Sequence, residues 1–142
     1  MSVFIDANVL VCSVADSPYR DPCLRLLRAV ARGEVDGRTS TACLEEVWYL
    51  ESSRRISGLD GLTERAYAIL TPLLSVTDDA VRQAMSLAAP GLGTNDRIHA
   101  ATCLANDIDT IVSADAGFDG VRGLRRVDPV DPGSLGRVIR PE

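Results

Sequence analysis

The sequence predicts an α/β domain built on a mostly parallel sheet. The first observation behind this is alternation: short apolar runs are separated by longer stretches whose apolar residues recur at helical spacing. The second is size, because 142 residues at 46% hydrophobic content supply one compact domain with a core of its own. The third is the lack of any internal repeat or low-complexity segment that would point to another architecture.

The elements follow in order. Val3 to Ile5 reads as a short buried strand. Asp21-Pro22 supplies an N-cap and a first-turn proline, and Cys23, Leu26, Leu27, Val30 and Ala31 form the apolar stripe of a helix that Gly33 ends. An extended piece near Arg38 to Ser40 leads into a helix through Leu44, Val47 and Trp48. "ISGLDGLT" is a loose connection, followed by a helix near Glu64 to Leu70. Ser75 to Thr77 reads as a strand end, and Asp78-Asp79 opens the next helix. "PGLGTND" breaks the chain before a helix from about Asn95 to Ala105. Thr110 to Ser113 is a second apolar strand, ending in "SAD". Leu124 to Val127 is read as the last strand, before a proline-marked tail from Pro129 onward.

Composition removes several chemistries. All fifteen basic residues are arginine, so a Walker A phosphate loop, a Schiff base and a Ser/Lys nucleophile pair are excluded. The single histidine, His99, rules out metal-free cleavage of RNA by two histidines. A Ser-His-Asp triad would have to use it, and no GxSxG elbow is present. Net charge −5 argues against a general nucleic-acid binder, although arginine clusters can act locally. Cys12, Cys23, Cys43 and Cys103 form no CxxC pair and are read as reduced, buried residues. There is no apolar run of about 20 residues and no signal-peptide pattern, so the cytoplasm is the expected compartment, without membrane association.

Carboxylate chemistry remains. Asp6 and Asp115 each lie just past a predicted strand, where parallel sheets place ligands. Glu46 has apolar neighbours at helical spacing, and Glu45 beside it is only weakly distinguished from it. Asp96 falls in the first turn of a helix, a position the helix dipole favours for a negative charge. Each has a structural explanation as well: a turn former at Asp6, a solvated charge at Glu45, a cap at Asp96.

The ordered set "FIDANVL", "TSTACLEEVWYL", "TNDRIHAATCLANDIDTIVSAD" and "AGFDGVRGL" resembles the PIN-domain ribonucleases, particularly the VapC toxins of bacterial toxin–antitoxin pairs. The resemblance spans Val3 to about Val127. It implies a three-layer α/β/α fold with a central parallel sheet of about five strands. It further implies that Asp6, Glu46, Asp96 and Asp115 are the catalytic acids, converging on Mg²⁺ or Mn²⁺ with Asp6, Asp96 and Asp115 as ligands. Asn8, Ser113 and the less constant position Asp119 match supporting residues. The implied reaction is endonucleolytic hydrolysis of RNA leaving 5′-phosphate and 3′-hydroxyl ends. The implied partners are a VapB-like antitoxin and a second copy of the chain in a homodimer.

The physics agrees with such a centre, because clustered carboxylates raise one another's pKa values and a divalent cation relieves the repulsion. For RNA contact the candidates are Arg54, Arg55 and Arg97. Arg54 and Arg55 could equally serve a helix C-terminus, and Arg97 could orient a carboxylate. Arg25, Arg28 and Arg32 read as a solvated face, and His99, Trp48 and Tyr49 as packed residues. Leu59, Leu62 and Ile69 are a candidate exposed contact patch. The alternatives are a housekeeping RNA-processing nuclease and a PIN-like binding module without catalysis. A haloacid-dehalogenase-type phosphatase is disfavoured, since the first strand is followed by "DAN" and lysine is absent.

Overall fold

The computed structural model describes residues 1–139. Four strands, β1 (Ser2–Ile5), β2 (Asp36–Arg38), β3 (Thr110–Val112) and β4 (Arg125–Val127), form an all-parallel sheet in the order β2-β1-β3-β4. Seven α-helices flank it in a three-layer α/β/α arrangement: α1 (Ala7–Cys12), α2 (Arg20–Ala31), α3 (Thr41–Ser53), α4 (Leu62–Leu70), α5 (Asp78–Met85), α6 (Thr94–Ala105) and α7 (Pro132–Ile139). Val3, Phe4, Ile5, Ile111 and Val112 are almost wholly buried, because a sheet covered on both faces needs apolar residues on both. β1 and β3 are the central strands, and their register pairs Ile5 with Val112. Their carboxyl ends are therefore adjacent, and Asp6 N–H donates to the Val112 carbonyl at 3.1 Å.

The predicted fifth strand is reduced to a single bridge. Ser40 and Leu74 pair in parallel fashion, and Leu74 N–H donates to the Thr39 carbonyl at 2.9 Å. Pairing stops there for two reasons. Pro72 has no N–H to donate to a ladder, and Thr77 caps α5, its hydroxyl accepting from Ala80 N–H at 3.1 Å.

Several local expectations are corrected. α1 follows β1 without a loop, a turn and a half too short to show a periodicity. α2 starts at Arg20 rather than after an Asp21 cap; Pro22 lies inside the first turn, where its missing N–H costs nothing. The expected tail forms α7, with Asp131 accepting from Gly133 N–H at 3.2 Å and Pro132 opening the helix. Leu135 and Val138 bury its inner face, and α7 packs on α2. Leu59 and Leu62 are core residues, 2% and 3% exposed, so the proposed contact patch does not exist as drawn. Trp48 and Tyr49 are the converse, 63% and 60% exposed on α3. That helix has apolar residues on most sides, and the packing of α1, α4 and α6 selects which are covered.

β2 lies against α2 at Gly37, where an added Cβ would sit 2.7 Å from Val30 Cγ2 and 3.0 Å from Cγ1. Gly37→Ala is expected to lose about 1–3 kcal/mol through overpacking. A urea titration checks this, and an unchanged midpoint would show that Val30 moves freely.

Candidate active site

Parallel pairing of β1 with β3 is what builds the site. Asp6 caps α1, its Oδ1 accepting from Ala7 N–H at 2.8 Å. Its Oδ2 accepts from Ser113 Oγ at 2.7 Å and Asn8 Nδ2 at 3.1 Å. Asn8 Nδ2 also lies 3.1 Å from Ser113 Oγ, and its Oδ1 accepts from Ala114 N–H at 3.3 Å. Asp115 N–H donates to Ser113 Oγ at 3.0 Å. Asn8 and Ser113 thus tie the two strand ends together and hold both Asp6 and the Asp115 backbone.

Two helices bring the remaining acids. Ser40 caps α3 by accepting from Cys43 N–H at 3.1 Å, so that helix starts at the carboxyl edge of the sheet and carries Cys43 and Glu46 inward. α6 carries Asp96 in its first turn, and α3 packs on α6. A cleft of about 470 Å³ lies between them, lined by Ala42, Glu45, Glu46 and Tyr49 from α3 and Asn95, Ile98 and His99 from α6. Glu45 shares the cleft but faces no acid at hydrogen-bond distance.

The electrostatics records crowding. Asp96 is pushed up to about 7 by burial, then by sharing a proton with Asp115 and by the charges of Asp6 and Asp115. Asp115 is held below the usual range by that same hydrogen bond from Asp96 and by Gly117 N–H. Burial raises Asp6 as well, against the opposing pull of Ser113, His99 and Ala7. The Asp96–Asp115 pair therefore titrates as a unit that keeps one proton close to neutrality.

His99, read from sequence as a packed residue, is 1% exposed, but its ring faces the acids. Nε2 lies 3.8 Å from Glu46 Oε1 and 4.0 Å from Asp6 Oδ1. Burial lowers its pKa, but Cys43, Glu46 and Asp6 outweigh that and hold it well above the usual histidine range. The His99 ring thus lies between the Glu46 and Asp6 carboxyl groups in the buried centre. Cys43, 0% exposed, completes this group with Sγ 3.5 Å from Nδ1 and 3.6 Å from Nε2 of His99. No spacing rule could have found the contact, since 56 residues separate the two.

Four expected positions stand apart from the cluster. Asp119 is gripped by Arg126, with Nε at 2.9 Å and Nη2 at 3.3 Å. Arg126 also donates to the Ser113 carbonyl at 3.1 Å, and its charge helps hold Asp115 ionised. The sequence reading missed it. Arg54 and Arg55 are exposed beyond the end of α3, with Arg54 about 12 Å along the helix axis from Glu46. Arg97 is turned to main-chain carbonyls: Nη1 donates to Leu87 at 2.7 Å, Nη2 to Ala89 at 2.8 Å and Nε to Leu92 at 3.1 Å. It pins the connection from α5 to α6, and few of its donors remain for a phosphate. Arg97→Ala is expected to lose about 2–4 kcal/mol, because hydrogen bonds to a charged donor are strong and the carbonyls lose their partner. Differential scanning calorimetry checks it; a wild-type melting temperature would mean that water replaces the guanidinium without cost.

The donors of Asp6, Asp96 and Asp115 are all carboxylate oxygens, the set a hard divalent cation such as Mg²⁺ or Mn²⁺ takes. The charges of Asp6 and Asp115, which push the Asp96 carboxyl upward, are negative charge that such a cation would neutralise. The residues fit a metal centre.

An acidic cluster at the carboxyl edge of the two central strands defines a class of α/β domain. Residues 3–124 match the family model of the PIN domain, and the chain belongs to that family. Among solved structures it is similar to FitAcB from Neisseria gonorrhoeae, with a TM-score of 0.69 and 18% identity over 91% of this chain and 99% of that one. It is also similar to VapBC2 from Rickettsia felis bound to a promoter DNA fragment (TM-score 0.66, 15% identity, 89% of this chain and 98% of that one). A toxin–antitoxin complex from Klebsiella pneumoniae gives a TM-score of 0.66 at 18% identity, over 89% and 97% of the two chains. At these identities the likeness is one of fold. No curated protein matches the sequence at the level required of a relative.

Proposed function

We propose that the chain is a metal-dependent endoribonuclease acting as the toxin of a VapBC-type pair. The observation that carries the reading is the frame of hydrogen bonds by which Asn8 and Ser113 hold buried Asp6 and the Asp115 backbone together at the carboxyl edge of the two central strands. Asp6, Asp96 and Asp115 would hold Mg²⁺ or Mn²⁺. When bound, that ion neutralises charge on the scissile phosphate and makes water a better nucleophile. Asn8 and Ser113 keep Asp6 Oδ2 in place by direct hydrogen bonds. Glu46, a third exposed at the cleft, offers Oε1 to accept a proton from attacking water, with His99 fixing its position. Hydrolysis forms a bond from the water oxygen to phosphorus and breaks the bond to the 3′ oxygen, leaving 5′-phosphate and 3′-hydroxyl ends.

The partners in this reading are an antitoxin, as in the complexes of similar fold, and a second copy in a homodimer. The compartment is the cytoplasm; among the described residues no helix is long and apolar enough to cross a membrane. Partner-free protein incubated with total cellular RNA tests the activity. Cleavage with Mg²⁺ or Mn²⁺, none with EDTA, and none by Asp115→Asn is expected, with mapped ends naming the target. Folded protein that neither cleaves nor binds either metal would leave a binding module instead.

A further inference from the structure

Cys43 plays no part in the proposed reaction, yet its thiol is buried against the centre and points at two other metal-ligating side chains. Asp6, Cys43 and His99 each present one donor atom, all within 4.8 Å of one another. Cys43 Sγ is 3.6 Å from His99 Nε2 and 4.0 Å from Asp6 Oδ1, and that oxygen is 4.0 Å from Nε2. Glu46 Oε1, 3.8 Å from Nε2, stands as a fourth donor on the open side. Ligands around a tetrahedral zinc ion, about 2.0–2.3 Å from the metal, lie roughly 3.3–3.5 Å apart. Asp6, Cys43 and His99 are within about half an ångström of that arrangement, and Glu46, near His99 alone, has to swing in from the cleft to complete it.

We propose that Asp6, Cys43, His99 and Glu46 form a zinc site that shares Asp6 with the magnesium centre and switches the enzyme off when filled. The donor chemistry separates the two ions. Thiolate and imidazole suit zinc and do not suit magnesium, which keeps to carboxylate oxygen and water. The geometry supplies the antagonism. Asp6 Oδ1 faces Cys43 and His99, whereas Oδ2 faces Ser113 and Asn8. Zinc drawn to the thiol and imidazole holds Oδ1 on that side and takes Glu46 from the cleft. The cleft, with Glu46 at its rim, gives the ion a route inward. The zinc site itself does not depend on the nuclease reading; its inhibitory effect does.

The test uses untagged full-length protein, so that His99 is the only imidazole present. One equivalent of Co²⁺ should produce the near-ultraviolet sulfur-to-cobalt band and the intense visible bands of a tetrahedral site, and Zn²⁺ should abolish both. Cys43→Ala should lose the sulfur band and bind zinc more than about 100-fold more weakly, since even outer partners of a ligand are worth 10–100-fold. Cys103→Ala, at another buried cysteine, and Asp96→Asn should keep the cobalt spectrum. A pale octahedral spectrum, or a sulfur band that survives Cys43→Ala, overturns the proposal. Should Cys43→Ala not fold, X-ray absorption of the zinc-loaded wild type decides: one sulfur at about 2.3 Å supports the site, and a shell of nitrogen and oxygen alone refutes it. Stoichiometric zinc should also reduce Mg²⁺-dependent cleavage more than tenfold. Failure of cleavage with every metal would sink the nuclease reading and leave the cobalt result standing.

Discussion

Asp96→Asn is expected to reduce metal-dependent RNA cleavage by about 10²–10³-fold, because in the proposed centre it would remove one ligand of a cation worth several kcal/mol to the transition state. The same variant should change how stability depends on pH. Asp96 binds its proton more tightly folded than unfolded, since its pKa rises from 3.8 to about 7. The stability it contributes is therefore full below about pH 4 and is lost as pH rises through about 7. Asp6 is shifted in the same direction. Asp115 is shifted downward, so its opposite contribution changes only below 3.8. Metal-free wild type should accordingly melt at a lower temperature at pH 8 than at pH 5, and Mg²⁺ should recover the difference at pH 8. His99 adds a slope of the same sign at higher pH, so the quantity to compare is wild type minus variant. Parallel pH–melting curves for the two proteins would show that Asp96 carries no such burden.

The second large effect is at Asp6, where activity and stability should separate. Asp6→Ala strips the cap from α1 and leaves Ser113, Asn8 and Ala7 N–H without their acceptor. A lost cap costs about 1 kcal/mol and each of the two stranded side-chain donors about 1–3 kcal/mol, so a total of about 3–7 kcal/mol is expected. Asp6→Asn keeps one acceptor for Ala7 N–H and removes a charge that burial disfavours. It should stay within about 1 kcal/mol of wild type. Cleavage should fall by about 10²-fold or more in both. Urea unfolding beside single-turnover cleavage checks the pair; an active Asp6→Asn protein would remove Asp6 from the metal centre.

The strand–helix alternation and the order of the acids were legible because they are local. Asp6 and Asp115 sit at strand ends, and Asp96 sits in a first helical turn; both are readable from a few residues. What escaped was decided by packing between distant segments. Trp48 and Leu62 carry the same apolar label, and only the seat of α4 against α3 leaves one outside and the other within. Beside Asp96 in the sequence, Arg97 reads as a contact to a carboxylate or a phosphate, but the carbonyls of Leu87, Ala89 and Leu92 claim it. Ser75 to Thr77 reads as a strand end and the segment from Pro129 as a tail, yet Thr77 caps α5 and Asp131 accepts from Gly133 N–H in the first turn of α7. Capping residues are ambiguous in this way because the same short polar chemistry closes turns and opens helices.

The hydrogen bond between Ser113 and Asp6 joins residues 107 positions apart. During synthesis, Asp6 leaves the ribosome well ahead of Ser113 and Asp115 and waits for the intervening segment with neither beside it. A chain halted anywhere before β3 cannot assemble the centre, whatever part of it has folded. In the proposed reading, cleavage therefore cannot begin until β3 and Asp115 have been made.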